Sequence, residues 1–248
     1  MIYATLTKKK QQLDQHRPLP IELVRNLDEW FRIELTYTSN AIEGNTLTRQ
    51  QTALVVEKGI TVGGKSLIEH LEAKNHAIAF DHIKKISGQS SKKISEKEIL
   101  SIHGLLLKGI DDAQAGRYRT VAVRIAGSRV VLPNPAKVPQ LMSNFINDMQ
   151  RNVKMHPVAL AAQAHYQLVT IHPFADGNGR TGRLLMNRIL MAHGYPPAII
   201  RTRDRMAYIK SLEKAQLGGA MDDYEKIIAK AVERSLDIYL ETIQRGQG

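Results

Sequence analysis

The sequence has no cysteine and no long apolar stretch. A chain without cysteine has no disulfide framework, which favours an intracellular setting. No segment approaches the roughly 18 apolar residues of a membrane span. The lysines at residues 8–10 follow a short mixed segment, whereas a secretory signal carries its charge before an apolar run. These absences predict a cytoplasmic protein that does not enter a membrane.

Acidic residues are scarce relative to basic ones. Twenty-four Asp and Glu face 35 Lys and Arg, which gives a formal net charge of +11. Such a surplus attracts polyanions, namely nucleotides, nucleic acid or anionic membranes. Charge alone does not choose among these partners, and it is equally compatible with a solvated basic surface.

Repeats and low-complexity segments are also missing, and only residues 87–93 (SGQSSKK) have the composition of a flexible connector.

Most of the chain has helical periodicity. The first apolar face recurs at steps of three and four residues, at Ile21, Val24, Leu27, Phe31 and Leu35, and predicts a helix over about residues 20–39. Further helices are predicted over residues 66–86, 95–107, 137–152 and 157–171, and after Asp204 and Asp222. Ser95 and Glu98 have the spacing of a capping box. The fold class is therefore predicted to be mainly α.

Residues 120–132 (TVAVRIAGSRVVL) are the exception to this pattern. Their β-branched residues alternate on one side of Gly127 and Ser128 and resume on the other, which predicts a β-hairpin. A lone two-stranded hairpin is only marginally stable in water. This one must therefore pack on the helices or serve as a binding edge.

Residues 172–183 (HPFADGNGRTGR) hold the densest cluster of polar and conformationally special residues. Gly177 and Gly179 let the backbone turn tightly and approach a ligand. The helix that follows them offers unpaired N–H groups and a partial positive charge, which together bind phosphate. Arg180 and Arg183 are three residues apart, so they would project from one face of that helix and grip phosphate oxygens.

Two further residues complete this cluster. Asp176 would stand beside the phosphates as an oxygen ligand for Mg²⁺, and His172 is the candidate base. Each residue alone has a plainer interpretation: a helix cap, a solvated arginine face or a simple turn. Together they supply a base, a metal ligand, an anion nest and two phosphate clamps within twelve residues.

This segment resembles the signature of the Fic family, H-[FP]-x-[FP]-x-[DE]-G-N-G-R-x-x-R, without departure. Residues 116–119 (GRYR), the hairpin and residues 132–135 (LPNP) look like the family's flap, and the resemblance covers about residues 36–240. It implies a Fic fold, a helical bundle with a β-hairpin flap. Residues 1–93 would form an N-terminal helical region, and residues 94–248 the catalytic core and C-terminal helices, in one compact unit.

The resemblance also implies a reaction. In the family, the motif histidine removes a proton from a Ser, Thr or Tyr hydroxyl of a target protein, which attacks the α-phosphorus of ATP and expels pyrophosphate. His172 takes that role here, and a neutral imidazole suits it. By the same resemblance Asp176 holds Mg²⁺. The chain is thus expected to be a protein adenylyltransferase whose target protein docks on the flap, at about residues 120–135.

The nucleotide contacts follow from the same family pattern. Gly177, Asn178 and Gly179 line the anion hole, and Arg180 and Arg183 hold the β- and γ-phosphates. Separately, Tyr208 and Gln216 lie where family members hold the adenine. Their plainer alternative, a core residue and a surface residue, is nearly as well supported.

Residues 39–45 (SNAIEGN) resemble the family's inhibitory motif, [ST]-x-x-x-E-[GN], through Ser39, Glu43 and Gly44. The resemblance implies that Glu43 pairs with Arg183 and takes the place of the γ-phosphate. A solvated residue at a helix end is the alternative interpretation of Glu43. In relatives with this arrangement the same glutamate can orient a water that removes AMP from a modified target. Such relatives often form dimers, so a homodimer is one expected state.

Several rival functions differ in recognisable features. A Doc-type kinase typically carries Lys where Gly179 stands and lacks Arg183, while transfer of UMP, GMP or phosphocholine would use the same His172. A nucleic-acid-binding regulator is suggested by the net charge and by residues 201–205 (RTRDR), but no convincing recognition helix accompanies them. A metal hydrolase is disfavoured, because none of the nine histidines has a familiar ligand spacing.

Overall fold

The computed structural model describes residues 2–152 and 154–246, except for the side chain of Lys92. Its described part contains ten α-helices. They are α1 (Ile2–Gln15), α2 (Ile21–Ile42), α3 (Arg49–Ala53), α4 (Leu67–Ile86), α5 (Glu96–Leu107), α6 (Val138–Arg151), α7 (Pro157–Ile171), α8 (Asn178–Ala192), α9 (Arg205–Gln216) and α10 (Asp222–Arg245). A π-helical turn (Leu54–Lys58) extends α3. The mainly α fold class is confirmed.

The predicted helices agree with the observed ones to within a few residues, but neither α1 nor the short α3 with its π-helical turn was predicted. Helix α2 continues to Ile42, beyond the predicted end near Ser39. Helix α1 was not predicted, because only Leu6 and Leu13 are buried along its largely polar sequence. It packs against α10, where Lys9 forms ion pairs with Glu233 and Asp237 at 2.8 and 2.7 Å.

Two helix starts show how local capping and tertiary contacts compete. Ser66 and Glu69 form a complete capping box at the start of α4. Ser95 accepts a hydrogen bond from the Glu98 backbone at the start of α5, as the sequence predicts. The Glu98 carboxylate, however, accepts from Arg188 Nε at 3.0 Å. Arg188 is fully buried and needs a carboxylate partner. The Glu98 side chain therefore pairs with Arg188 and does not complete the predicted capping box by accepting from the Ser95 N–H.

The predicted β-hairpin over residues 120–132 is not formed, and the described part of the chain contains no β-strand. The segment does turn near Gly127, where the Ser128 N–H donates to Ile125 O at 3.1 Å, but its two arms make no ladder. Val121 and Val131 are 61% and 93% exposed. Arms whose apolar side chains face solvent gain little from pairing with each other, and an isolated two-strand ladder is marginal.

Helices α7 and α8 form the centre of the molecule. The largest apolar cluster joins them to α1, α6, α9 and α10, with Leu168, Leu185 and Tyr224 among its buried members. A second cluster packs α2, α4 and α5 against Leu184 of α8. As a result the last turn of α2 lies against the first turns of α8, which places residues 39–43 beside residues 179–183.

Candidate active site

His172 occupies an unusual backbone conformation at the end of α7. Its φ and ψ angles are 52° and 60°, and it is the only non-glycine residue with positive φ among residues 2–152 and 154–246. Such a conformation costs on the order of 1 kcal/mol or more and is found mostly at functional sites. Arg119 holds it in place, because its Nε donates to His172 O at 2.8 Å and its backbone N–H to Pro173 O at 2.9 Å.

The imidazole of His172 is oriented by its own helix. Nδ1 lies 3.2 Å from Val169 O, which only accepts, so Nδ1 carries the proton and Nε2 keeps a free lone pair. Burial lowers the pKa of His172, and the positive charge of Arg119 acts in the same direction, against the opposing charges of Glu43 and Asp176. The ring is therefore neutral at pH 7 and able to accept a proton at Nε2.

The loop after His172 is closed by Asn178. Its side chain accepts from the Phe174 N–H and donates to Phe174 O, both at 2.9 Å. Gly177 stands before α8 with φ of 77°, and no side chain caps this helix within the described residues. The N–H groups of its first turn are thus left for a ligand, where the helix dipole favours an anion. Asn178 shapes this nest through its side chain.

His103 of α5 supports the same loop and was not predicted. Its ring stacks on Phe174 with centroids 3.7 Å apart. Nδ1 accepts from the Gly116 N–H and Nε2 donates to Asp176 O, both at 3.0 Å. Burial lowers the pKa of His103 to about 4, so the ring stays neutral and keeps one donor and one acceptor. A single histidine within an apolar helix carries no sequence signal for this role.

Arg180 is held by two carboxylates. Its Nη1 donates to Glu72 Oε1 at 2.7 Å and its Nη2 to Asp176 Oδ2 at 3.0 Å. The arginine side chain is 3% exposed, while that of Asp176 is 71% exposed. Arg180 therefore points away from Arg183 and towards α4, although the two residues are one turn apart. Glu72, in the middle of α4, has no motif that would have pointed to it.

The last turn of α2 binds Arg183 through three hydrogen bonds, and Tyr208 of α9 also lies against its guanidinium. Nε donates to Ser39 Oγ and Nη2 to Ser39 O, each at 2.9 Å, and Nη2 also donates to Glu43 Oε1 at 2.7 Å. The Arg183 side chain is 6% exposed and that of Glu43 39% exposed. Gly44 follows with φ of 104°, a conformation that favours glycine and ends the helix. We call the Glu43–Arg183 pair, with Ser39, the Glu43 contact.

The Glu43 carboxylate also lies against Gly179. A Cβ atom built on Gly179 would overlap Glu43 Oε1 and come within 3.0 Å of Arg183 Nη1. The absence of a side chain at residue 179 is thus what lets the carboxylate reach the first turn of α8. The same space lies in front of the free N–H groups of that turn.

Tyr208 is buried between α7 and α10, and its predicted place beside an adenine stays a prediction. The residue is 2% exposed, and its hydroxyl lies 2.8 Å from His165 Nε2. This agrees with the alternative interpretation of Tyr208 as a core residue. Gln216 is half-buried at the end of α9 and donates to Thr170 Oγ1 at 3.1 Å, so it is close to the end of α7.

The flap, residues 120–135, is fastened at both ends and at its tip. Arg119 Nη1 donates to Val121 O at 3.1 Å and Nη2 to Pro133 O at 2.7 Å. Glu213 Oε1 accepts from Ser128 Oγ and from the Arg129 N–H, both at 2.9 Å. A cavity of about 890 Å³ is lined by residues 122–132. One arginine therefore fixes both the flap and the backbone of His172.

The site suits a magnesium–nucleotide complex better than a protein-bound metal alone. No group of three or more His, Asp or Glu side chains in the described residues could hold a metal ion. Asp176 Oδ2 accepts from Arg180, while Oδ1 takes part in no hydrogen bond among the described residues. Mg²⁺ typically takes one or two protein carboxylates and completes its shell with phosphates and water, so Asp176 fits that role.

No helix in the described part of the chain is long and apolar enough to cross a membrane.

The comparisons with known proteins agree with this geometry. The model of the Fic/DOC family matches residues 93–190. The protein adenylyltransferase Fic of Culex quinquefasciatus is 38% identical over 96% of this chain, which spans 47% of that protein's length. The structure of Fic-1 from C. elegans has a TM-score of 0.90 and 30% identity, and the match covers 99% of this chain and 72% of that one.

A second solved structure has nearly the same extent as this chain. It is a Fic-domain-containing signaling protein from Bacteroides thetaiotaomicron, with a TM-score of 0.86 and 28% identity over 98% of both chains. The match to Fic-1 from C. elegans extends the similarity well beyond residues 93–190, to the helices on either side. The chain therefore belongs to the Fic/DOC family.

Proposed function

We propose that this chain is a protein adenylyltransferase that moves AMP from ATP to a hydroxyl of another protein. The observation that carries the proposal is the position of a neutral, backbone-constrained His172 beside the uncapped first turn of α8. The relatives named as adenylyltransferases support it, although this chain spans only about half the length of the curated relatives it matches.

The first turn of α8 would receive the phosphates. Its free N–H groups stabilise charge on the transferred phosphoryl group, and the Arg183 guanidinium lies close to Gly179 of the same turn. Mg²⁺ at Asp176 would neutralise phosphate charge when bound. Arg180 pairs with both Glu72 and Asp176, and so it holds the Asp176 carboxylate in place.

His172 would then act on the target hydroxyl. Nε2 accepts the hydroxyl proton while the hydroxyl oxygen forms a bond to the α-phosphorus. The bond from that phosphorus to the bridging oxygen of the β-phosphate breaks, and pyrophosphate leaves with the electron pair. Arg119 acts as a positioning residue, since it fixes the backbone of His172 and both ends of the flap.

The Glu43 contact would keep this activity low. Arg183 Nε and Nη2 donate to Ser39 and Glu43, so a γ-phosphate that approaches this guanidinium must displace the Glu43 carboxylate beside it. A nucleotide that fails to do so binds with its α-phosphorus poorly aligned. Because Glu43 is 39% exposed, it can leave without unfolding α2. Removal of AMP from a modified target by a water at Glu43 stays a prediction.

A target protein would bind beside the flap. The two arms of the flap make no ladder with each other, so their backbone groups are open to pairing with an extended segment. Binding of the adenine near Gln216, a homodimeric state and a cytoplasmic location are further predictions from the sequence.

The decisive experiment measures self-modification with ATP labelled on the α-phosphate. We expect strong labelling of Glu43→Gly, weak labelling of wild type, and none of the Glu43→Gly, His172→Ala double variant. Glu29→Gly, an exposed glutamate on the same helix, serves as the matched control and should behave as wild type. Labelling of every protein alike would contradict the role of Glu43. No labelling of Glu43→Gly, although it binds ATP, would contradict AMP transfer.

A further inference from the structure

A second cavity, of about 300 Å³, lies between α2, α10 and residues 199–203. It shares no residue with the candidate active site. Its size is at the lower end of the range for small-molecule sites, about 300 to 1,000 Å³. The arginines and aromatic residues that line it are Arg49, Arg201, Arg203, Arg234, Trp30 and Tyr37.

The lining is strongly basic. Four arginines face one carboxylate, that of the buried Glu34, which pairs with Arg49. Asp204 lies nearby and accepts from Arg234 Nη2 at 3.1 Å. Two guanidinium groups are thus neutralised, and the other two are not.

The remaining positive charge belongs to Arg203 and to Arg201, whose charge acts on Glu34 without an ion pair. Within residues 2–152 and 154–246, neither side chain forms an ion pair, and Arg203 is exposed. Arg234 is also incompletely satisfied, because its Nε is buried without a hydrogen-bond partner. Burial lowers the pKa of Arg234, and the charges of Arg201 and Arg203 act in the same direction, opposed by Asp204. Converging cations of this kind favour a bound anion.

Aromatic rings form part of the cavity wall. Trp30 is 42% exposed, and the Arg49 guanidinium lies 5.6 Å from the centre of the Tyr37 ring. Planar guanidinium groups bind phosphate oxygens through two parallel hydrogen bonds. Four arginines around one cavity repel each other, and neither a solvated surface nor a packing defect accounts for such a grouping.

We propose that this cavity is a second anion-binding site, which holds a small phosphate-bearing molecule through Arg201, Arg203 and Arg234. Its occupant would contact α2, because Thr38 lines the cavity and immediately precedes Ser39 of the Glu43 contact. Arg205, just beyond the same loop, donates to Ile42 O at the end of α2. The ligand would therefore bind to the helix that carries Glu43. Binding itself does not depend on the proposed activity.

The single tryptophan of the chain makes the test specific. Trp30 is the only source of tryptophan fluorescence, and it lines the cavity. We would titrate the full chain with inorganic pyrophosphate at constant ionic strength, and repeat the titration by calorimetry. We expect a saturable change in Trp30 emission for the wild-type chain. In the double variant Arg201→Gln, Arg203→Gln, we expect a Kd for pyrophosphate that is at least tenfold higher. The same variant should lose one of the calorimetric binding events.

Two control variants separate this site from other sources of binding. Arg124→Gln, Arg129→Gln removes the same charge from the exposed flap, and should leave the Trp30 titration unchanged. Arg183→Gln removes the guanidinium of the active site and should also leave it unchanged. A wild-type response that never saturates, an unaltered Kd in the Arg201, Arg203 variant, or loss of the response in Arg183→Gln would each overturn the proposal.

Discussion

Glu43 Oε1 accepts a hydrogen bond from Arg183 Nη2 at 2.7 Å, and the same carboxylate lies against the first turn of α8 at Gly179. Ser39, one turn earlier on α2, binds the same guanidinium through its hydroxyl and its carbonyl. Three acceptors at the end of α2 therefore converge on one arginine of α8.

The contact of Glu43 with Gly179 can be measured as a coupling in stability. In a Glu43→Gly background, we expect Gly179→Ala to raise the free energy of unfolding by up to about 1 kcal/mol, through helix propensity. In wild type the added Cβ displaces the Glu43 carboxylate, so the gain should be cancelled or reversed. Urea unfolding of the four proteins measures this coupling. Equal effects in both backgrounds would mean that the carboxylate does not lie over Gly179.

Arg119 should control the flap and the histidine together. Lysine cannot reach three carbonyl oxygens at once, so we expect Arg119→Lys to lower AMP transfer by at least about tenfold, equivalent to roughly 1.4 kcal/mol. Trypsin should also cleave the released flap faster, after Arg124 and Arg129. The exposed Arg117 gives the matched control, Arg117→Lys, which should change neither rate. Loss of transfer without faster cleavage would argue against fixation of the flap.

The pH profile of transfer should reflect the environment of His172. Burial and Arg119 lower the pKa of its imidazole, so the neutral base persists below the usual histidine pKa of about 6.5. We expect the acid limb of transfer by Glu43→Gly to have its midpoint below pH 6.5. Glu43 raises the pKa of His172 in wild type, so the wild-type midpoint should be higher than that of the variant. A midpoint above 6.5 in the variant would contradict the assignment of the base.

Stability should fall in acid because of His165. Burial lowers its pKa to about 3, and its two nitrogens lie 2.8 Å from the hydroxyls of Tyr208 and Tyr224. The unfolded chain protonates His165 below about pH 6.5, whereas the folded chain does not. This stabilisation is complete above pH 6.5 and is lost as the pH falls towards the folded pKa, by about 1.4 kcal/mol per pH unit.

We expect His165→Gln to lower the steepness of that acid loss, measured as urea midpoints between pH 7 and 4.5. The exposed His16 gives the control variant His16→Gln, whose profile should match wild type. If His165→Gln is destabilised at pH 7 but keeps the wild-type slope, His165 is a packing residue and not the titrating group.

Much of the fold could be predicted because its helices follow local rules. The spacing of Ser39 and Glu43 places both on one helical face, and residues 172–183 keep their site residues on a single loop and helix start. The hairpin could not be predicted correctly, because alternation describes the side chains of residues 120–132 and not whether a partner strand exists. Helix α1 was missed because its polar sequence hides the buried Leu6 and Leu13.

The supporting residues of the site had little local signal. Glu72 and His103 carry no motif of their own, and Arg119 belongs to the flap resemblance of residues 116–119, which did not indicate its contact with His172. Each acts only through tertiary packing, which places it against residues 172–180. A sequence shows which side chains can do chemistry more readily than which ones hold them in place.

The contact at Gly179 limits how this family can vary. Any side chain at that position would occupy the volume that the Glu43 carboxylate fills. A descendant that replaced this glycine would lose its glutamate contact at the same step, whereas one that lost the glutamate would still need glycine for the close approach of a phosphate. A residue other than glycine at position 179 should therefore occur among homologues only where position 43 is not glutamate, and an alignment can test this.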